Sequence, residues 1–117
     1  MSRQRRKGTA AESAVVDYLH AHGFPASERR ALAGAKDRGD IAGIPGVVIE
    51  VKSAARLDIP AWLRETKAEQ ANDRARIGLL VIKPRGIGTT RVGDWWAVLP
   101  LADAIELIRT TDERGTQ

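Results

Sequence analysis

The stretch Val47-Val48-Ile49-Glu50-Val51-Lys52 constrains this chain more than any other. It is β-branched and nearly continuous, the best strand signal in the chain. Successive side chains in a strand alternate, so Val47, Ile49 and Val51 share one face while Val48, Glu50 and Lys52 share the other. A carboxylate and an ammonium therefore stand about 7 Å apart on one face of a core-like strand. Burying either ion without partners costs several kcal/mol. Local rules broken inside a well-formed element concentrate at functional sites. The structural alternative is that Glu50 and Lys52 pair with strand neighbours on a half-wet face.

Around this strand the chain reads as α/β. A first helix is expected from Thr9, with Ala11, Ala14, Val15, Tyr18, Leu19 and His22 at helical spacing and Gly23 as its C-terminal stop. Phe24 to Arg30 is a weak strand, and Gly34 to Gly39 is turn-like. Asp40 to Ile44 forms a short strand joined to Val47–Lys52 through the Pro45-Gly46 turn. Pro60 opens a second helix running to about Arg76. Leu79 to Ile82 is a buried strand, Pro84 to Gly93 a Gly-rich loop and Asp94 to Val98 a further strand, with Trp95 and Trp96 on opposite faces. A last helix follows Pro100, with Leu101, Ala104, Ile105 and Ile108 on one side, and the polar tail after Thr110 is expected to be loose. The order is α-β-β-β-α-β-β-α, which makes a mixed central sheet of about five strands flanked by helices. The expected division is a basic arm over 1–8, one domain over 9–110 and a polar tail over 111–117. A chain of 117 residues is long enough for such a domain to bury its own core.

Asp40 gives the charged strand face its chemical meaning. It opens the strand before the Pro45-Gly46 turn, so a hairpin brings it beside Glu50 and Lys52. Two carboxylates on one face repel unless a proton or a divalent cation lies between them. Hard cations such as Mg²⁺ take carboxylates, water and phosphate oxygens. A neighbouring lysine can orient a water or stabilise charge on phosphate. Asp-x9-Glu-x-Lys on a hairpin is thus a candidate site for metal-dependent phosphodiester hydrolysis. Glu12 is a third candidate carboxylate. It also fits a capping box, with Thr9 as N-cap and Glu12 three positions later.

The remaining composition narrows the chemistry. The absence of Cys excludes disulfide scaffolds, thiol catalysis and Cys-ligated zinc, and two His are too few for a multi-histidine metal site within one chain. Arg3, Arg5, Arg6 and Lys7 account for the whole net charge of +4. A basic segment on a neutral body points to an acidic partner, with nucleic acid first. No apolar run approaches a membrane span or a secretory signal, so the expected location is cytoplasmic, with no membrane partner.

Arg6-Lys7-Gly8-x-x-x-Glu12, Gly39-Asp40 and Ile49-Glu50-Val51-Lys52 together resemble the archaeal-type Holliday-junction resolvases, which belong to the PD-(D/E)XK, restriction-endonuclease-like nuclease superfamily. His22-Gly23-Phe24 and Gly93-Asp94-Trp95-Trp96-Ala97-Val98 extend the likeness over the folded part of the chain. The resemblance implies a restriction-endonuclease-like core. It makes Glu12, Asp40 and Glu50 metal-binding carboxylates, the Val51 carbonyl a further ligand, and Lys52 the catalytic lysine. It implies Mg²⁺ or Mn²⁺, no small-molecule cofactor, a homodimer, and four-way DNA junctions cut by paired hydrolysis. Activity on other branched or duplex DNA, or a non-catalytic DNA-binding module, are the alternatives. Arg5, Arg6, Lys7, Arg29 and Arg30 are candidate DNA contacts, and Gln70 is a further candidate near the site. Ser13 stands where the family usually has Arg, which removes one expected phosphate contact.

Overall fold

The computed structural model describes the backbone of residues 3–30 and 39–115, and the side chains of residues 8–30 and 39–111. Three helices, α1 (Arg3–Ala21), α2 (Ile59–Asn72) and α3 (Leu101–Gly115), accompany five strands: β1 (Glu28–Arg29), β2 (Ile41–Ala42), β3 (Val47–Lys52), β4 (Ile77–Ile82) and β5 (Trp96–Val98). A 3-10 helix, Thr89–Asp94, lies between β4 and β5. The chain is α/β, and its strands form one open mixed sheet in the order β1-β2-β3-β4-β5. Neighbours are antiparallel except β3 and β4, which run parallel with α2 as their crossover.

Both faces of β3 are covered. On one, Ile49 and Val51 pack with Ile41, with Ala11 and Val15 of α1, and with Trp95. Ile41 stands opposite Ile49 in the β2–β3 register, so the two side chains share that face. On the other face lie Val48 and Glu50, next to Leu80 and Ile82 of β4 and beneath α2. Val48 and Leu80 are wholly buried, each contributing about 1.5–3 kcal/mol.

Several elements differ from the sequence expectation. Helix α1 starts at Arg3 and not at Thr9, so the expected arm belongs to the helix and Thr9 lies in its interior. No capping box operates there, because the N–H groups it would satisfy are already inside helical turns. The side chains of Arg5, Arg6 and Lys7 lie outside the described part of the structure, as do residues 31–38 with the expected Lys36-Asp37-Arg38 turn. The other end of α1 is as expected: Gly23 has φ +99°, and Phe24 N–H donates to the Leu19 carbonyl at 3.0 Å, closing the helix as a Schellman turn.

Helix α2 stops at Asn72, short of the expected Arg76. Arg74 takes a left-handed φ of 53°, and the Gln70 amide donates to the Ala75 and Arg76 carbonyls at 3.3 and 3.1 Å. At its start Asp58 accepts from Ala61 N–H at 3.4 Å. The 84–93 loop is partly helical and is pinned by the Trp95 indole, which donates to the Ile87 and Gly88 carbonyls at 3.2 Å each. Trp95 is 8% exposed and Trp96 46%, so one tryptophan is internal and the other is not. Helix α3 continues to Gly115, beyond the expected break at Thr110, and leaves Leu101, Ile105, Leu107 and Ile108 exposed. Among the described residues, no helix is long and apolar enough to cross a membrane.

Candidate active site

The buried face of β3 beneath α2 carries the charge. Glu50 is 3% exposed, although it occupies the middle of the best-formed strand. Lys52 is two residues on, with its ammonium 3.6 Å from Glu50 and 2.9 Å from Glu65 of α2. Glu65 and Glu69 project from successive turns of α2 toward β3. One oxygen from each of Glu50, Glu65 and Glu69 lies within 4.8 Å of the others, a buried acidic triad that can hold a metal ion.

Asp40 reaches the same region from the start of β2. Its Oδ2 accepts the Val51 N–H at 2.8 Å, and its own N–H donates to the Ile49 carbonyl at 2.8 Å. These bonds fix the carboxylate against the β3 backbone. Gly39 makes this approach feasible. Its φ is +92°, and a Cβ there would stand 3.0 Å from both the Ile49 carbonyl oxygen and Val48 Cγ1. A side chain at position 39 would push the chain away from β3 and take Asp40 with it.

Electrostatics tie Asp40 to both other predicted acids. Glu50 is pushed up to about 12, first by burial and then by the Asp40 carboxylate beside it. Glu12 is also raised, by burial and again by Asp40, with Arg29 pulling in the opposite direction. The Arg29 guanidinium lies 3.4 Å from Glu12. Burial opposes the charge on Lys52, but Glu65, Glu50 and Asp40 outweigh it and its pKa is raised. Glu65 is held low: burial alone would raise it, but its contacts with Glu50 and Lys52 dominate. Glu50 Oε1 is buried, and no described group donates a hydrogen bond to it. A buried carboxylate oxygen without a donor, facing other carboxylates, calls for a proton or a cation.

The expected site is thus assembled in part. Asp40, Glu50 and Lys52 converge, and Glu12 is coupled to them through Asp40. The carboxylates that meet within 4.8 Å are nevertheless Glu50, Glu65 and Glu69, and not Glu12, Asp40 and Glu50. Asp40 has one oxygen committed to the backbone of β3, and Glu12 is drawn to Arg29. Glu65 and Glu69 are additions that the sequence reading missed. Their signal was an i,i+4 pair of like charges, which opposes an isolated helix and implies an external reason for its presence.

The other candidates are dispersed. Arg30 is half-buried and lies 3.6 Å from Asp73 at the end of α2, so its charge serves the fold. Gln70 is engaged by the turn after α2. Ser13 lines a separate groove between α1 and the 3-10 helix, with Asp17, Tyr18, Thr89 and Gly93. His20 Nε2 donates to the Ser27 carbonyl at 2.7 Å. Comparison with protein families, curated proteins and solved structures finds no match for this chain.

Proposed function

We propose that this chain is a metal-dependent endodeoxyribonuclease with a restriction-endonuclease-like core, acting on four-way DNA junctions. The observation that carries this reading is the convergence of half-buried Asp40 and Lys52 on buried Glu50 of β3, with Glu12 coupled through Asp40. A buried acidic cluster of this kind with one ammonium serves little structural purpose, because each extra carboxylate raises the cost of burying the others. The order of helices and strands agrees with the same reading.

The donor set fits a hard divalent cation: carboxylates alone, with no thiol or imidazole, and one buried oxygen lacking a donor. Asp40, Glu50 and the Val51 carbonyl, with Glu12, are the ligands that the resemblance implies. Glu65 and Glu69 join Glu50 on the other side. The chemistry that Mg²⁺ or Mn²⁺ supplies in such a place is polarisation of a phosphate oxygen and acidification of a bound water. Lys52 stays an ammonium beside its carboxylates and offers an N–H donor where negative charge develops on phosphate. Asp40 holds the strand edge and the carboxylate in one geometry through the Val51 N–H. The exposed apolar side of α3 supports a second copy as partner, and a two-fold dimer would present two such sites to a two-fold junction.

Incubation with a four-way junction and with linear duplex, in Mg²⁺ and in chelator, tests this directly. Paired, metal-dependent nicks confined to the junction are expected. Equal cutting of duplex would move the substrate to DNA in general. No cleavage of any DNA in Mg²⁺ or Mn²⁺ would leave a binding module and overturn the enzymatic reading.

A further inference from the structure

An open cleft of about 630 Å³ lies between α1 and the segments that follow β3 and β4, and none of the acidic residues of the site lines it. Ala10 and Ala11 of α1 form one wall, Ser53, Ala54 and Ala55 after β3 form another, and Lys83, Pro84, Arg85 and Gly86 after β4 close it. Ser53 follows Lys52 directly in the chain, so one wall of the cleft continues from the end of the strand that carries the site. It sits at the carboxyl ends of the parallel pair β3 and β4, where open sheets place their ligands.

Its chemistry is set by two cations. Among the described residues Arg29, Arg30, Lys52, Lys67, Arg91 and Arg109 each have a carboxylate within ion-pair distance. Lys83 and Arg85 have none, as is also true of Arg56, Arg64, Arg74 and Arg76, but of these six only Lys83 and Arg85 line this concave surface. Their backbone is firmly held. Lys83 N–H donates to the Lys52 carbonyl at 2.9 Å, and Pro84 is buried. The short side chains of the facing walls allow a bulky polyanion to come close to the main chain.

We infer that this cleft is the track for the DNA phosphate backbone next to the acidic site, with Lys83 and Arg85 gripping the phosphates that flank the scissile one. The inference rests on the nuclease reading for its substrate, but its test is binding and not cleavage. Lys83 is registered to Lys52 through a single backbone hydrogen bond, so a strand held by Lys83 and Arg85 is held at a fixed distance from Glu50. Net attraction in the cleft also offsets the repulsion between phosphate and the carboxylates.

The experiment is fluorescence anisotropy of labelled duplex and four-way junction with the full chain in EDTA, across a salt series. Changing Lys83 and Arg85 together to Ala should weaken binding about tenfold or more and flatten the log K against log salt slope by nearly two units. Lys83→Arg should bind as the wild type does. Arg109→Ala, whose charge is paired with Glu106, should leave affinity and slope unchanged. Arg85→Ala alone, at an exposed position, should flatten the slope by about one unit and guards against a folding defect in the double variant. Wild-type affinity and slope in the double variant would overturn the inference, as would a wild type that binds no DNA. Loss of binding in the double variant of a protein that cuts nothing in Mg²⁺ would uphold the cleft and remove the nuclease.

Discussion

The two faces of the central sheet obey different rules. Against α1, β3 contributes Ile49 and Val51 to a dry cluster with Ala11, Val15, Ile41 and Trp95. Against α2, the same strand contributes Glu50 and Lys52, and the helix answers with Glu65 and Glu69. Strand, register and degree of covering are shared, so the contrast isolates side-chain chemistry. The α1 face holds the fold together by apolar burial. The α2 face carries carboxylates at positions where valine would be more stabilising, and the reason has to lie outside stability.

Breaking the charged face should have the largest effect on chemistry. Glu50→Gln or Asp40→Asn should lower junction cleavage by on the order of 10³-fold while DNA binding persists, as read by single-turnover nicking and by anisotropy in chelator. Full activity in either variant would remove that residue from the site. Breaking the dry face should do the reverse: Ile49→Ala should cost about 2–4 kcal/mol in urea unfolding, and the surviving folded fraction should cut normally.

Glu50→Gln sharpens the comparison further. The unfolded chain loses the Glu50 proton near pH 4.5, whereas the folded chain keeps it until about pH 12. Stability from this group is therefore fully present below pH 4.5 and declines as pH rises above it. In chelator the Gln variant should match the wild type at pH 4 and exceed it by up to about 5 kcal/mol at pH 8. A gap of the same size at both values would mean that Glu50 is ionised in the fold. Mg²⁺ or Mn²⁺ should then raise the wild-type melting temperature by a few degrees and leave the Gln variant unmoved. The smallest effect belongs to Arg109→Ala on α3, which should change stability by less than about 0.5 kcal/mol, since its partner pair with Glu106 is exposed.

The contrast also explains what the sequence disclosed. Strand β3 was readable over its full length, because six consecutive residues carry strand-forming, mostly β-branched character with two charges in strict alternation. Asp40, Glu50 and Lys52 followed from that strand and its turn. Glu65 and Glu69 did not, because α2 is a polar helix whose inward face cannot be picked out by hydrophobic spacing. The start of α1 was hidden because Arg3 to Lys7 carry no apolar residue and so no helical hydrophobic spacing. The end of α2 and the start of β4 were set by the left-handed Arg74 and by the Gln70 side chain bonded to the turn's carbonyls, which no periodicity encodes.

The β2–β3 hairpin carries a further consequence. Ile41 faces Ile49, and the connection between the two strands contains only Gly43 to Gly46. A single-residue insertion there that left Ile41 in place would turn β3 over, sending Glu50 and Lys52 into the oily layer and Ile49 toward the acids. An insertion of two residues would preserve the parity of the strand. Length changes in this short connection should therefore be tolerated by even steps and rejected by odd ones, whatever amino acids are added.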